Sequence, residues 1–148
     1  MQIYNAHLLN NKRRFWKAVV YGLLAALGCA FVISYLMRLT ADQMNMIFTI
    51  LYFIPGYLIP KAIHKAGGGI GKKYAYLGAI LTFLSLLLCD FFLLAGYQVL
   101  FQPQIWPVAL RMVFNFRFAL NLNSLLSLLC IAFSIAIAYR ESDITANA

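Results

Sequence analysis

Apolar residues gather into four long runs along the chain, and the stretches between them carry most of the charge. A helix needs about 20 residues to cross about 30 Å of hydrocarbon. The runs at about 18–37, 44–60, 74–99 and 120–139 are of that order. The pattern predicts an all-α membrane protein with four transmembrane helices in a compact bundle, a single transmembrane domain over 1–148. A short interfacial extracytoplasmic helix is expected in about 103–119.

The first run follows Lys12, Arg13, Arg14, Phe15, Trp16 and Lys17. A signal peptide has a similar basic start, but its apolar region spans only about 7–15 residues and ends at a small-residue cleavage site. This run closes on Tyr35-Leu36-Met37-Arg38, which reads as a retained helix. Pro55-Gly56 interrupts the second run and Pro60 sits near its end, predicting a bend near Leu51–Pro55. The third run is the longest and is expected to tilt or protrude. Asn121 and Asn123 bound the fourth on one side, Arg140-Glu141 on the other.

Composition narrows the class. Of 148 residues, 64% are apolar or aromatic and 11% are charged, against about 45–50% and about 25% in soluble domains. A soluble domain of this length has no interior large enough for that much apolar surface, and a disordered chain has the opposite bias. Cys29, Cys89 and Cys130 form no CxxC pair and lie inside apolar runs, where they read as packing residues.

The net charge of +8 is distributed unevenly. With four spans, Lys12, Arg13, Arg14, Lys17, Lys61, Lys65, Lys72, Lys73 and Arg140 share one side, against Arg38, Arg111 and Arg117 on the other. Nine against three places both termini in the cytoplasm of a cell with this chain in its cytoplasmic (inner) membrane. Lys12, Arg13, Arg14, Lys17, Lys72 and Lys73 are expected to contact lipid headgroups. No nucleic-acid-binding motif accompanies them, so membrane lipids, not nucleic acid, are the partner they imply.

Small residues mark packing faces. Ala18, Gly22, Ala26, Ala30 and Ser34 recur at strict i+4 spacing and let a neighbouring backbone come close. That neighbour is either another span of this chain or a partner subunit. Gly78, Thr82, Ser85, Cys89, Phe92 and Gly96 form a second, heptad-like seam, and Cys130, Ser134 and Ala138 a shorter third.

Ala66–Lys73 approximates a phosphate-binding loop, but Lys73 replaces the hydroxyl that would hold magnesium and no strand precedes it, so no nucleotide is expected. A flexible glycine hairpin is the expected role. Around it, Gly56-Tyr-Leu-Ile-Pro-Lys61-Ala-Ile-His64, a Gly-rich turn and Lys73-Tyr-Ala-Tyr-Leu-Gly-Ala-Ile-Leu-Thr82 follow each other. This segment resembles one in uncharacterised small polytopic bacterial membrane proteins, with Pro60 where a glycine is more usual. The resemblance implies a bacterial membrane origin and no activity.

Asp90 is the one acidic residue inside a predicted span. Intramembrane carboxylates are costly and point to function or to a partner. Either an ion pair with Arg111 or Arg117, among the arginines assigned to its side, or an ion-coupled transport site follows. Near it, Phe114, Phe116, Phe118, Leu120 and Leu122 alternate with polar or small residues, a period that suits a strand. An unpaired strand is excluded from hydrocarbon, so an interfacial helix leading into the fourth span is expected.

His7 and His64 are isolated, and no HxxxH, paired carboxylates or GxSxG occurs. No catalytic, metal or cofactor constellation is legible, and a non-enzymatic role is expected. The leading expectation is an accessory or scaffolding subunit of a larger membrane complex, partnered by other integral membrane subunits or by itself. A small oligomeric transporter or channel using Asp90 is the alternative, and a membrane enzyme acting on lipid the remotest.

Overall fold

A computed structural model describes residues 3–44, 49–67, 72–118 and 122–143 of the chain, with side chains described over 12–41, 50–66, 72–98, 101–118 and 124–142. These residues are helical almost throughout. In order they form α1 (Ile3–Met44), a 3-10 turn (Thr49–Tyr52), α2 (Phe53–Gly67) and α3 (Lys72–Ala95). Two further 3-10 turns (Tyr97–Phe101 and Pro103–Ile105) lead to α4 (Trp106–Phe118), and α5 (Leu122–Asp143) follows. Three helical stretches are long and apolar enough to cross a membrane: Lys12–Ala41, Lys72–Ala95 and Ser124–Ser142. That is what a multi-pass membrane protein requires. The glycine hairpin expected at 68–71 and the side chains of His7, Asn121 and Asn123 lie outside the described residues.

Helix limits depart from the apolar runs for local reasons. No Gly or Pro occurs between Ile3 and Lys17 or between Arg38 and Met44, so α1 continues well past the run at both ends. Toward its C-terminus α3 stops earlier than expected. Gly96 adopts φ +76°, and its N–H bonds to the Phe92 carbonyl at 3.1 Å, a glycine stop that residues with a Cβ rarely adopt. Gly96 thus terminates α3 and is not a packing position within it. In the second run the break falls between Tyr52 and Phe53. Pro55 lies in the first turn of α2, where a missing N–H costs nothing. Pro60 lies inside α2 and removes the donor that would reach the Gly56 carbonyl. The segment expected to carry an interfacial helix is a short 3-10 turn followed by α4, helical to Phe118 despite its alternating pattern.

α2 and α3 touch and form the middle of the bundle, with α1 packed across both on one side and α5 across both on the other. α4 lies outside, against α3 and α5. Small residues make these approaches close. Ala18, Gly22, Ala26, Ala30 and Ser34 are all buried. A Cβ on Gly22 would come within 2.6 Å of Leu81 Cδ1, and Ser85 Oγ on α3 donates to the Ala26 carbonyl at 2.8 Å. On α3, Gly78, Thr82, Ser85, Cys89 and Phe92 are buried. α5 turns a serine-rich face inward, with Ser124, Ser127, Ser134, Ala138 and Ser142 buried and Cys130 half-buried. A Cβ on Gly56 would stand 2.6 Å from the Ser134 carbonyl oxygen, so α2 and α5 meet there backbone to backbone.

Contacts also fix which helix ends lie together. Phe15 meets Tyr74 edge to face at 5.7 Å, Tyr76 meets Tyr139 at 5.6 Å, and His64 Nε2 lies 3.2 Å from the Glu141 carbonyl oxygen. One end of the bundle therefore holds the early part of α1, the end of α2, the start of α3 and the end of α5. At the other end Ser34 Oγ and the Tyr97 hydroxyl pair at 3.0 Å, and the Phe31 and Phe92 rings stack at 4.7 Å. Outward faces are strongly apolar: Val20, Leu24, Val32, Ile80, Phe83, Leu129 and Phe133 are all exposed.

Candidate functional site

The most polar feature of the interior lies at this second end, where three elements converge on Asp90. Asp90 is 4% exposed and sits five residues before the end of α3. A bare carboxylate so placed would be very costly. Arg117, 6% exposed, answers it from α4. Its Nε donates to Asp90 Oδ2 at 2.6 Å, and its Nη2 donates to Oδ1. This is the two-pronged guanidinium–carboxylate geometry that a lysine cannot reproduce. Tyr52, in the turn before α2, closes the ring. Its hydroxyl donates to Asp90 Oδ1 at 2.6 Å and accepts from Arg117 Nη2 at 2.6 Å. The guanidinium carbon also stands 4.9 Å from the centre of the Tyr52 ring, within cation–π range.

Helix phase explains which arginine is chosen. Ala109, Val113 and Arg117 are buried on α4, at four-residue steps along one face. Arg111 is off that face and exposed, so it takes no part in the pair. Arg38 is also exposed, beside Gly96. Burial works against the charge on Arg117. The hydrogen bond and charge of Asp90, with help from Tyr52, more than offset it and raise its pKa above the ordinary arginine value.

Sequence reasoning brought Asp90 and Arg117 together as candidates but missed Tyr52. Its only signal is a phenol inside an apolar run, which needs a polar partner when buried. Tyr57 carries the same signal, yet it is exposed, with Lys61 Nζ 3.9 Å from its ring centre.

Arg117 Nη1 is buried and has no hydrogen-bond partner among the described residues. Beside the pair, a half-open crevice of about 160 Å³ runs between α3, α4 and α5. Its walls are apolar, with Phe83, Leu86, Leu110, Val113, Phe114, Leu128 and Ile131 among them, and Asp90 and Arg117 also line it.

The remaining candidate residues are dispersed. Lys12, Arg13, Arg14, Lys17, Lys72 and Lys73 are exposed, around the Phe15–Tyr74 end of the bundle. Cys29, Cys89 and Cys130 are free thiols, and no group of three or more His, Cys, Asp or Glu gathers as a metal site among the described residues. The ion pair ties three elements together through a carboxylate whose two oxygens are both engaged. No protein-family model matches the chain, and neither a curated protein nor a solved structure matches it.

Proposed function

We propose that this chain is a non-catalytic integral membrane protein that serves as an accessory or scaffolding subunit of a larger membrane complex. The observation that carries the reading is the commitment of Asp90. Both of its oxygens are spent on Arg117 and Tyr52, which suits a brace between elements better than a carboxylate that must load and unload a proton or ion. The broad apolar faces outside the bundle are available to lipid and to other integral membrane subunits, or to a second copy of this chain.

The proposed arrangement has four passes in the cytoplasmic membrane of a bacterial cell, both termini inside. Support comes from connectivity. α1 and α3 both begin at the Phe15–Tyr74 end, so the chain between them has to return through the full thickness if both helices cross. The 3-10 turn and α2 together measure about 30 Å, which is enough. α5 ends where α3 begins, so α4 need not cross and is free to lie at the outer interface. The nine basic residues counted for one side then fall on the cytoplasmic face.

A small oligomeric transporter or channel using Asp90 is favoured by one observation, the crevice that reaches the pair. Asp90→Asn separates the two readings. The scaffold reading expects the complex isolated in mild detergent to lose subunits or fall apart. A chain that purifies as a lone monodisperse monomer, or whose Asp90→Asn variant loses an ion-driven flux while its assembly stays intact, overturns it.

A further inference from the structure

The crevice between α3, α4 and α5 combines three properties. It is lined by apolar side chains such as Leu86, Leu110, Val113, Phe114 and Leu128. It is half open, and Phe83, Leu110, Phe114 and Phe118 of its lining are exposed. It is also bordered by Arg117, a residue 6% exposed whose buried Nη1 lacks a partner among the described residues. A buried guanidinium nitrogen left without an acceptor is costly, and Asp90 and Tyr52 are already engaged by the other two nitrogens.

We infer that this crevice binds one acyl chain of a membrane glycerolipid, with its ester carbonyl oxygen accepting a hydrogen bond from Arg117 Nη1. Volume sets the scale of what enters. Apolar cavities of about 150 Å³ take up a benzene molecule, so a crevice of about 160 Å³ holds about six carbons of a chain, with the rest running out along α3 and α5. Charge selects the oxygen. Asp90 and Arg117 already cancel, and a carboxylate or phosphate brought to Nη1 would leave an uncompensated negative charge in an apolar wall. A neutral carbonyl satisfies the donor without that cost. Depth agrees as well: Asp90 lies about 8 Å from the end of α3, near the level where acyl chains give way to headgroups if α3 spans the bilayer. The inference therefore rests on the membrane placement proposed above.

Native mass spectrometry of the full chain released from detergent tests it. The probes are a phosphatidylcholine with two ester-linked oleoyl chains, its ether-linked counterpart without carbonyls, and free oleate. One ester lipid per chain is expected to be retained, with the ether lipid and oleate held at least about tenfold more weakly. Leu128→Trp, which adds bulk to the α5 wall of the crevice, is expected to abolish retention while the thermal midpoint in detergent changes little. Equal retention of ester and ether lipids, preference for oleate, no retention at all, or unchanged retention by Leu128→Trp each overturns the inference. Extraction of the chain from membranes by alkaline carbonate would instead overturn the membrane placement itself.

Discussion

At the scale of single residues, the Asp90–Arg117–Tyr52 cluster sets the largest expected effects. Removing one partner from a buried ion pair leaves the other charge stranded, at about 3–5 kcal/mol. Arg117→Ala and Asp90→Ala should each cost that much, read as a fall in the unfolding midpoint in mixed micelles. Replacing both, as Asp90→Leu with Arg117→Met, should recover most of the loss, because two apolar side chains carry no desolvation penalty. A double variant no more stable than either single one would mean that the pair does more than neutralise itself. Tyr52→Phe should cost less, about 1–2 kcal/mol, since the direct bonds between Arg117 and Asp90 survive it. Part of this cluster was legible in the chain itself. A lone acid in an apolar run demands a partner, and the arginines that follow it were the candidates. The choice between Arg111 and Arg117 was not legible, because it depends on how α4 rotates against α3. The step from Ala109 to Val113 to Arg117 is its trace, visible once that helix is known.

At the scale of elements, the close approaches are governed by what a methyl group would meet. Gly28 has nothing within 4 Å, so Gly28→Ala should be neutral or stabilising by about 0.5–1 kcal/mol through reduced chain entropy. A Cβ on Gly22 meets the ends of Leu81 and Ile63 side chains, which can move. At Gly78 it meets chiefly the Ser142 hydroxyl, which can rotate. At Gly56 it meets the Ser134 backbone, which can do neither. Alanine should therefore be tolerated in the order Gly28, Gly22, Gly78, Gly56, with Gly56→Ala costing at least about 1–3 kcal/mol. Thermal unfolding of the four variants reads the order directly, and a mild effect at Gly56 would contradict the backbone contact between α2 and α5. The seams on α1 and α3 could be read from spacing, because four-residue recurrence fixes a helix face whatever packs on it. Their partners could not, and the α1 seam turns out to face α2 and α3 of the same chain. The end of α3 departs from its apolar run for a related reason: Gly96 fits both a seam and a helix stop, and only its backbone angle decides.

At the scale of the whole molecule, the open distinction is between three crossings and four. α2 was legible as an apolar run, but at 15 residues it falls short of a full crossing without the turn before it. The two prolines make its length depend on backbone geometry, not on hydropathy. The ends of the bundle supply the missing constraint. If α1, α3 and α5 cross and α2 does not, Lys17 and Lys65 must lie on opposite faces of the membrane, against the contact between Phe15 and Tyr74. With four crossings, Lys17 and Lys65 share a face and Gln104 lies on the other. Cysteine placed singly at these exposed positions, in a background lacking the three native thiols, reports the difference through a membrane-impermeant maleimide. Lys17→Cys and Lys65→Cys should be modified in inside-out vesicles and protected in right-side-out ones, with Gln104→Cys showing the reverse. Modification of Lys17→Cys and Lys65→Cys from opposite faces would remove α2 from the set of spans. The count of basic residues would then no longer describe one face, and Asp90 and Arg117 would need a new address in the bilayer.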